Sequence, residues 1–537
     1  MNSPGVTSQP KPRCLGVAAA AWLLVAVGIF SALYGTVLMS RTLWPGLHDD
    51  AVLFSTPLIN RAATGENYFE VYTPFLVKRE SVTAFNWHGQ LYNAVVAPLL
   101  AAPDYPSLLV FLQRVNALGF LSAFAVFFFA ARRYCHWPAW GAALLGLACA
   151  YATLTLLIYL QGRPDHGIPL AFLLFAFIRL VLPNVCLAPW LEGAVIGVFA
   201  AISPLVGAVY GLAVFFSWGL RQASVPSYLR QVALAAAVAF AVYLLLSALA
   251  YDGSVWDLLI GTLRGYQEPF RVNLHHLVPF WLAHRMLPGA LLPIAVASAL
   301  AAALLWSSLR RPEFRRAALI SLFPLAALGF VFVRQGILFA PHYYTFVALL
   351  PAAAWWILQE SAHLPEAWPA SVRRCAPGAV LLCMAAVGLG AVRSIALQPS
   401  VASGAPSYAE ALQAARDLEA SLAGGEVIGI HQYLNSCSPV VLARPPWRFK
   451  THAISEPLAT TEQAEQKLGF RVAYYFSLQH QEKPPVVEGF ELIDDHYSRK
   501  AASLGGFRLL SYSPGYGYAI YRRTDAGKPQ TKKAGDR

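Results

Sequence analysis

The sequence predicts a mainly α, polytopic membrane protein with about 11 transmembrane helices and a small C-terminal α/β extracytoplasmic domain. Three observations carry this prediction. Of the 537 residues, 57% are hydrophobic and only 13% charged, with a mean hydropathy of +0.50, an apolar excess far beyond that of a soluble domain. Apolar runs of membrane-crossing length, about 20 residues each, recur as far as residue 396. Beyond residue 397 charges rise and the apolar residues thin into short runs. The formal charge of +12 raises a nucleic-acid reading. Most basic residues fall in short clusters between apolar runs, however, the pattern of membrane-protein loops rather than of a DNA-binding face, and this excludes nucleic acid as a partner.

Residues 1–14 form a short cytoplasmic N-terminus with Lys11 and Arg13. The apolar run 15–39 is too long for the core of a signal peptide and has no convincing small-residue cleavage site, so it is expected to be retained as the first helix. Further helices are predicted at 107–131, 138–160, 166–182, 189–202, 204–219, 229–250, 288–307, 316–333, 341–358 and 376–396. Ser203-Pro204 interrupts one apolar run, so 189–219 reads either as a kinked helix or as two helices joined by a turn. The basic residues decide between them. Arg132/Arg133, Arg221/Arg230, Arg310/Arg311/Arg315/Arg316 and Arg373/Arg374 all fall on the cytoplasmic side only if the break is a turn.

This topology places on the opposite side the loop 40–106, the segment Gln161-Gly162-Arg163-Pro164-Asp165-His166, the loop 251–287, Arg334 to His342, and the tail. Within 251–287, Val255, Leu258, Leu259, Leu263 and Tyr266 recur at helical spacing beside Trp256 and Trp281, which predicts a helix lying on the membrane. In the tail, 397–523, the periodicity of 408–422 predicts a helix ended by Gly424-Gly425. Strands are predicted at 426–430 and 471–476, with a terminal hairpin from 507–513 and 518–522. Residues 524–537 are polar and expected to be disordered. No internal repeat of the kind common in transporters is visible. The seven cysteines form neither a zinc pattern nor a disulfide framework.

The candidate site residues lie on the predicted outer side. Asp49 and Asp50 follow the first apolar run directly, in a chain short of acids, and a carboxylate so placed costs free energy unless it is used or paired. Either could also N-cap a helix starting near Ala51. Adjacent residues point in different directions on a helix, so the two do not flank one bond as a glycosidase pair does. One serving as general base, with the other as cap or second ligand, fits better. His88 could meet a phosphate or sugar hydroxyl or stand as an interfacial residue, and Arg163 and Asp165 could form an ion pair around Pro164 or leave Arg163 to face an anion. His275 and His276 stand near Arg264, Arg271 and Arg285. Arg334, His342 and Tyr343 flank the start of the 341–358 helix, where cations suit a lipid phosphate and interface anchoring is the plainer account. Together these groups suit glycosyl transfer from a polyprenyl-phosphate sugar: a base takes the acceptor proton while fixed cations stabilise the departing phosphate.

On these residues the chain resembles the GT-C superfamily of glycosyltransferases, in the group of protein O-mannosyltransferases and lipid A aminoarabinose transferases. Asp49-Asp50 matches the acidic pair after the family's first helix. His88-Gly89-Gln90-Leu91-Tyr92 matches its Lys-Pro-Pro-Leu-Tyr segment, and residues 112–133 its second helix with a closing basic pair. Gln161 to Asp165 is similar to its Arg-Pro motif, and His342-Tyr343-Tyr344 followed by Pro351 to its tenth helix. The resemblance spans residues 15–396. Asp50 stands where Glu is commoner, His88-Gly89-Gln90 stands where Lys-Pro-Pro does, and the usual Lys near Ser203-Pro204 is missing.

The resemblance implies an inverting transferase in a bacterial inner membrane, with Asp49 and Asp50 catalytic and a polyprenyl-phosphate-linked sugar as donor. The acceptor would be a glycan, glycolipid or protein. The resemblance adds substrate contacts from His88, Tyr92, Arg163, Asp165, His342 and Tyr343, and the residue reading itself adds His275, His276 and Arg334 as candidates. No resident cofactor is required, although adjacent carboxylates can share a divalent metal. The alternatives are a transporter or flippase for a lipid-linked sugar, and a non-catalytic scaffold of the same fold.

Overall fold

The structure is a computed structural model that describes residue 28 and residues 49–66, 68–73, 76–81, 89–160, 162–182, 189–251, 253–265, 287–334, 348–363, 375–387, 408–432, 449–453, 471–478, 489–496, 503–504, 507–508 and 518–524. The helix predicted at 15–39 and the tail 524–537 lie outside the described residues almost entirely. Four described helical segments are long and apolar enough to cross a membrane: Tyr105–Tyr134, Pro164–Val181, Val225–Ala250 and Pro312–Val331. The chain is an integral membrane protein, mainly helical.

The N-terminal described part holds α1 (Asp49–Thr64), the strands β1 (Tyr68–Thr73) and β2 (Leu76–Ser81), and the short α2 (Leu91–Val96). β1 and β2 pair antiparallel, a hairpin the sequence reading did not anticipate. α3 (Tyr105–Tyr134) opens on Asp104, whose Oδ1 accepts the Ser107 N–H at 2.9 Å, and Pro106 suits its first turn because no N–H is needed there. α4 (Ala139–Tyr159) returns antiparallel against it. Then come α5 (Gly167–Val181), α6 (Pro189–Ile202), α7 (Pro204–Gly219) and α8 (Val225–Ala250). α8 carries the N-cap Ser224 and turns Leu229, Leu234, Phe240, Leu245 and Leu249 outward, as a lipid-facing helix does.

The break at Ser203-Pro204 is a turn. A Cβ on Gly207 would meet the backbone of Ala200, and one on Gly211 would meet Ile196. That register, in which positions pair outward from Ser203, belongs to an antiparallel helical hairpin and not to a kinked rod. α6 also lies closely on α8 through small residues. A Cβ on Gly193 would approach Ala235 O to 2.5 Å, and one on Gly197 would approach Ala239 O to 2.6 Å.

α9 (Val255–Gly265) forms where a surface helix was expected, with Leu258 and Thr262 buried and Trp256 exposed. α10 (Leu287–Arg310) is followed by α11 (Pro312–Ile320) and α12 (Leu322–Arg334). These two divide the segment predicted as one helix, 316–333. The division falls at Ser321, whose buried hydroxyl donates to Ala318 O at 2.6 Å and so competes with the helix ladder. α13 (Leu350–His363) holds the later part of the predicted 341–358, of which 341–347 lie outside the described residues, and α14 (Cys375–Val387) covers the first part of 376–396. The core lies among α3, α4, α5 and α13. Trp355 of α13 is fully buried, edge-on to Tyr134 and Phe172 with centroids 5.6 and 6.4 Å away.

The tail begins with α15 (Tyr408–Ala420) and continues with β3 (Glu426–Gln432), β4 (Phe449–Ala453), β5 (Arg471–Leu478), β6 (Phe490–Asp495), the two-residue β7 (Ser503–Leu504) and β8 (Phe507–Arg508), and β9 (Tyr518–Arg523). Five strands form one sheet in the order β4-β3-β5-β9-β6, with β3 parallel to β4 and β5 and with β9 antiparallel to β5 and β6. The predicted terminal hairpin is therefore corrected. β8 pairs with β7, and β9 enters between β5 and β6. Tyr518, Ala519, Ile520 and Tyr521 are all buried, and a strand covered on both faces belongs inside a sheet. β1 packs beside β4, so the hairpin of the 40–106 loop and the tail domain share one side of the helices.

Candidate functional site

Segments far apart in sequence meet at one end of the helix bundle. The described part of α1 opens at Asp49-Asp50. One turn on, the helix meets the loop between α4 and α5. Arg163 lies over the Phe54 ring, 5.1 Å from its centroid, and Ser55 Oγ donates to Gly162 O at 3.4 Å. Gly162 has a φ of +83°, a conformation that side-chain-bearing residues rarely take. At the far end of α1, Arg61 donates to Ala250 O, at the C-terminus of α8, at 2.8 Å.

The loop itself is built around an ion pair. Arg163 Nε and Nη2 both donate to Asp165 Oδ2, at 3.2 and 3.0 Å, and both residues are buried. Of the two readings open in the sequence, the pair around Pro164 is the arrangement formed. Burial removes both charges from water, so each depends on the other.

Tyr92 reaches this loop from α2. Its hydroxyl lies 3.2 Å from His166 Nδ1, and His166 Nε2 lies 2.9 Å from Asn116 Oδ1 on α3. All three side chains are buried. Burial raises the Tyr92 phenol well above its ordinary pKa, which keeps the hydroxyl protonated. Gly89, just before α2, donates its N–H to Ile202 O at 2.9 Å, at the end of α6. A Cβ at that position would fall 1.8 Å from Ala201 O. Glycine at this position thus has a physical reason. This backbone contact needs both an N–H and the absence of a side chain, and proline supplies neither.

Of the sequence-predicted site residues, Tyr92, Arg163 and Asp165 are brought together here. Asp49 and Asp50 begin the helix that packs on them. Arg334 ends α12. His88, His275, His276, His342 and Tyr343 lie outside the described residues. Among the described residues no group of three or more His, Cys, Asp or Glu could hold a metal ion.

Sequence reading missed His166 and Asn116. Asn116 sits in a helix that reads as an apolar span, and the sole signal was a polar side chain in that run. It also missed a second buried cluster, in which Arg179 pairs with Glu192 and Tyr210 donates to Glu192 Oε2 at 3.0 Å. Arg179 is in the last turn of α5 and Glu192 in the first turn of α6, so each also complements its own helix dipole.

The opposite end of the bundle gathers arginines. Arg133 Nη1 donates to Leu180 O at 2.7 Å, Arg132 Nη1 to Trp137 O at 2.6 Å, and Arg315 Nε to Leu309 O at 3.0 Å. The bundle therefore has a cationic end and a mixed polar end.

A mainly helical membrane protein with a buried polar cluster at one end of its helices, a loop hairpin and a small α/β domain, is the class of protein these features define. Among solved structures the chain is similar to ArnT from Cupriavidus metallidurans bound to undecaprenyl phosphate, with 14% identity over 95% of this chain and 99% of that chain and a TM-score of 0.45. It is also similar to the archaeal oligosaccharyltransferase AglB from Archaeoglobus fulgidus in complex with an inhibitory peptide and a dolichol-phosphate, with 14% identity over 85% of this chain and 69% of that chain and a TM-score of 0.41. No protein-family model and no curated protein matches the chain. Likeness at this level leaves the chemistry to be argued from the chain's own residues.

Proposed function

We propose that the chain is an integral-membrane glycosyltransferase that moves a sugar from a polyprenyl-phosphate donor to an acceptor hydroxyl at the outer face. The observation that carries this reading is that α1, the helix bearing Asp49-Asp50, packs through Phe54 and Ser55 on the loop of the buried Arg163–Asp165 pair, beside Tyr92 of α2. These segments carry three of the motifs on which the sequence resembles the GT-C superfamily. On this reading residues 15–396 form the transmembrane domain, 397–523 an extracytoplasmic domain, and the arginine-rich end faces the cytoplasm.

The chemistry follows from the groups available. Asp49 takes the proton of the acceptor hydroxyl as its oxygen attacks the anomeric carbon. The bond from that carbon to the phosphate oxygen breaks on the opposite face, so configuration inverts and the polyprenyl phosphate leaves as an anion. Developing charge on that phosphate needs cations but no general acid, a role for Arg334 and His342. Asp50 adjoins the base as a helix-stabilising carboxylate or a second ligand.

The test is single-turnover transfer by purified protein in nanodiscs, with Asp49→Asn beside wild type. Asparagine keeps the shape and loses the proton acceptor, so transfer should fall about a hundred- to ten-thousandfold while thermal stability stays near wild type. Full activity in Asp49→Asn would end the base assignment. Full activity in both Asp49→Asn and Asp50→Asn would end the catalytic reading of this helix.

One observation favours a second reading, a carrier of lipid-linked sugar. The Arg179–Glu192–Tyr210 cluster is ionisable and buried within the helices, as transport pathways often are. Its place at a corner between helix ends gives it a structural account, and a flux assay in sealed vesicles separates the two.

A further inference from the structure

Resting on the transferase reading, we propose that His166 is a positioning residue: it ties Tyr92 to Asn116 and thereby holds the neighbouring Arg163–Asp165 pair in place against the helix that begins at Asp49-Asp50. Each ring nitrogen of His166 has one partner, Tyr92 Oη at 3.2 Å and Asn116 Oδ1 at 2.9 Å. The amide oxygen of Asn116 is an acceptor, so Nε2 carries the proton and donates to it. Nδ1 is then a lone pair, and it accepts the Tyr92 hydroxyl proton. The chain of donors runs in one direction, from α2 through the loop to α3. Reversing one member would strand another in a buried site, which is costly.

The ring's position gives this chain its leverage. His166 immediately follows Asp165 and closes the short 3-10 turn Pro164–His166 that leads into α5. Its backbone N–H donates to Arg163 O at 3.1 Å. Displacing the imidazole therefore acts on the same short turn that carries the ion pair. Gly167 adds a steric limit, since a Cβ there would meet Tyr92 Cδ2 at 3.0 Å, so the phenol ring lies directly on the first turn of α5. Three elements are pinned through one side chain, while Arg163 meets α1 through the Phe54 ring. Neither His166 nor Asn116 needs to touch a substrate for this to affect transfer.

The experiment uses substitutions that keep one half of the ring's chemistry. His166→Asn retains a group at the Nδ1 position to accept from Tyr92. His166→Gln retains one near Nε2 for Asn116 and releases Tyr92, as Tyr92→Phe does from the other side. With each rate normalised to folded protein, His166→Gln and Tyr92→Phe should lower kcat by about ten- to a hundredfold, the range for misplacement of catalytic groups by about 1 Å, with donor KM near wild type. His166→Asn should recover much of that loss, and the His166→Gln/Tyr92→Phe double variant should be no worse than either single. A purely structural role would instead lower the folded fraction and leave the normalised kcat intact, and that result overturns the proposal. Equal loss in His166→Asn and His166→Gln would overturn it too.

A second readout needs no activity. Nitrogen NMR of histidine-labelled protein in nanodiscs should find His166 protonated at Nε2 and bare at Nδ1, with the Nδ1 signal moving in Tyr92→Phe. An unmoved signal sinks the tether even if transfer is robust. A moved signal in a protein that transfers no sugar sustains the tether and sinks the transferase reading.

Discussion

At the scale of single residues, the polar end of the bundle is governed by contacts that tolerate little change. Gly89 is the sharpest case, because its N–H meets Ile202 O at 2.9 Å and its α-carbon faces the Ala201 carbonyl. A methyl group at that position cannot be absorbed by rotating a side chain, since the obstacle is backbone. Gly89→Ala should therefore separate α2 from the α6–α7 turn, at a cost of about 1–3 kcal/mol for overpacking. Thermal unfolding in detergent would register it as a lower Tm, and an unchanged Tm would mean that the two backbones are not in contact. Gly162 is constrained for a different reason, its positive φ. Asp165 and Arg163 are constrained by each other's charge.

At the scale of elements, helices meet where side chains are small. Gly193 and Gly197, four residues apart on α6, face Ala235 and Ala239, four apart on α8. In hydrocarbon no hydrophobic force draws helices together, so close backbone approach and the packing it allows supply the association. Gly193→Leu or Gly197→Leu should push α8 from the bundle and lower stability by about 1–3 kcal/mol or more. Gly329→Ala on α12 is the matched control, since a Cβ there meets nothing within 4 Å, and it should stay within about 1 kcal/mol of wild type or gain slightly from helix propensity. Thermal scans of the three variants with a monodispersity check would decide. Equal behaviour of all three would remove the seam as a source of stability. The same logic accounts for the helical hairpin at Ser203. Gly207 and Gly211 allow α7 to fold back on α6, so Pro204 opens a new helix instead of bending an old one.

At the scale of the molecule, the two ends of the bundle differ in chemistry. Arg132, Arg133 and Arg315 cap carbonyls at one end, while the Arg163–Asp165 pair and His166 gather at the other, where α1 packs on their loop. The hairpin beside β4 joins the tail to the polar end. With the arginine-rich end inside, a reporter fused near residue 312 should signal from the cytoplasm, and one near residue 530 from the opposite side. An extracytoplasmic signal at 312 would invert the assignment of every site residue after it.

By itself the sequence determined the membrane class, most of the described helix positions, the turn at Ser203 and three strand positions of the tail. These are written locally, in apolar run length, in proline and glycine punctuation, and in the distribution of arginine. Tertiary structure alone decided the rest. The hydrogen bonds of Asn116 and His166 join residues fifty apart, and no local pattern distinguishes a polar residue awaiting such a partner from one facing lipid headgroups. The insertion of β9 between β5 and β6 was likewise illegible, because strand order depends on which edges long connections can reach. Nor could the sequence select between Arg163 facing an anion and Arg163 closing on Asp165. That choice belongs to burial, which makes an unpaired charge too costly to keep, and burial exists only once the helices have packed.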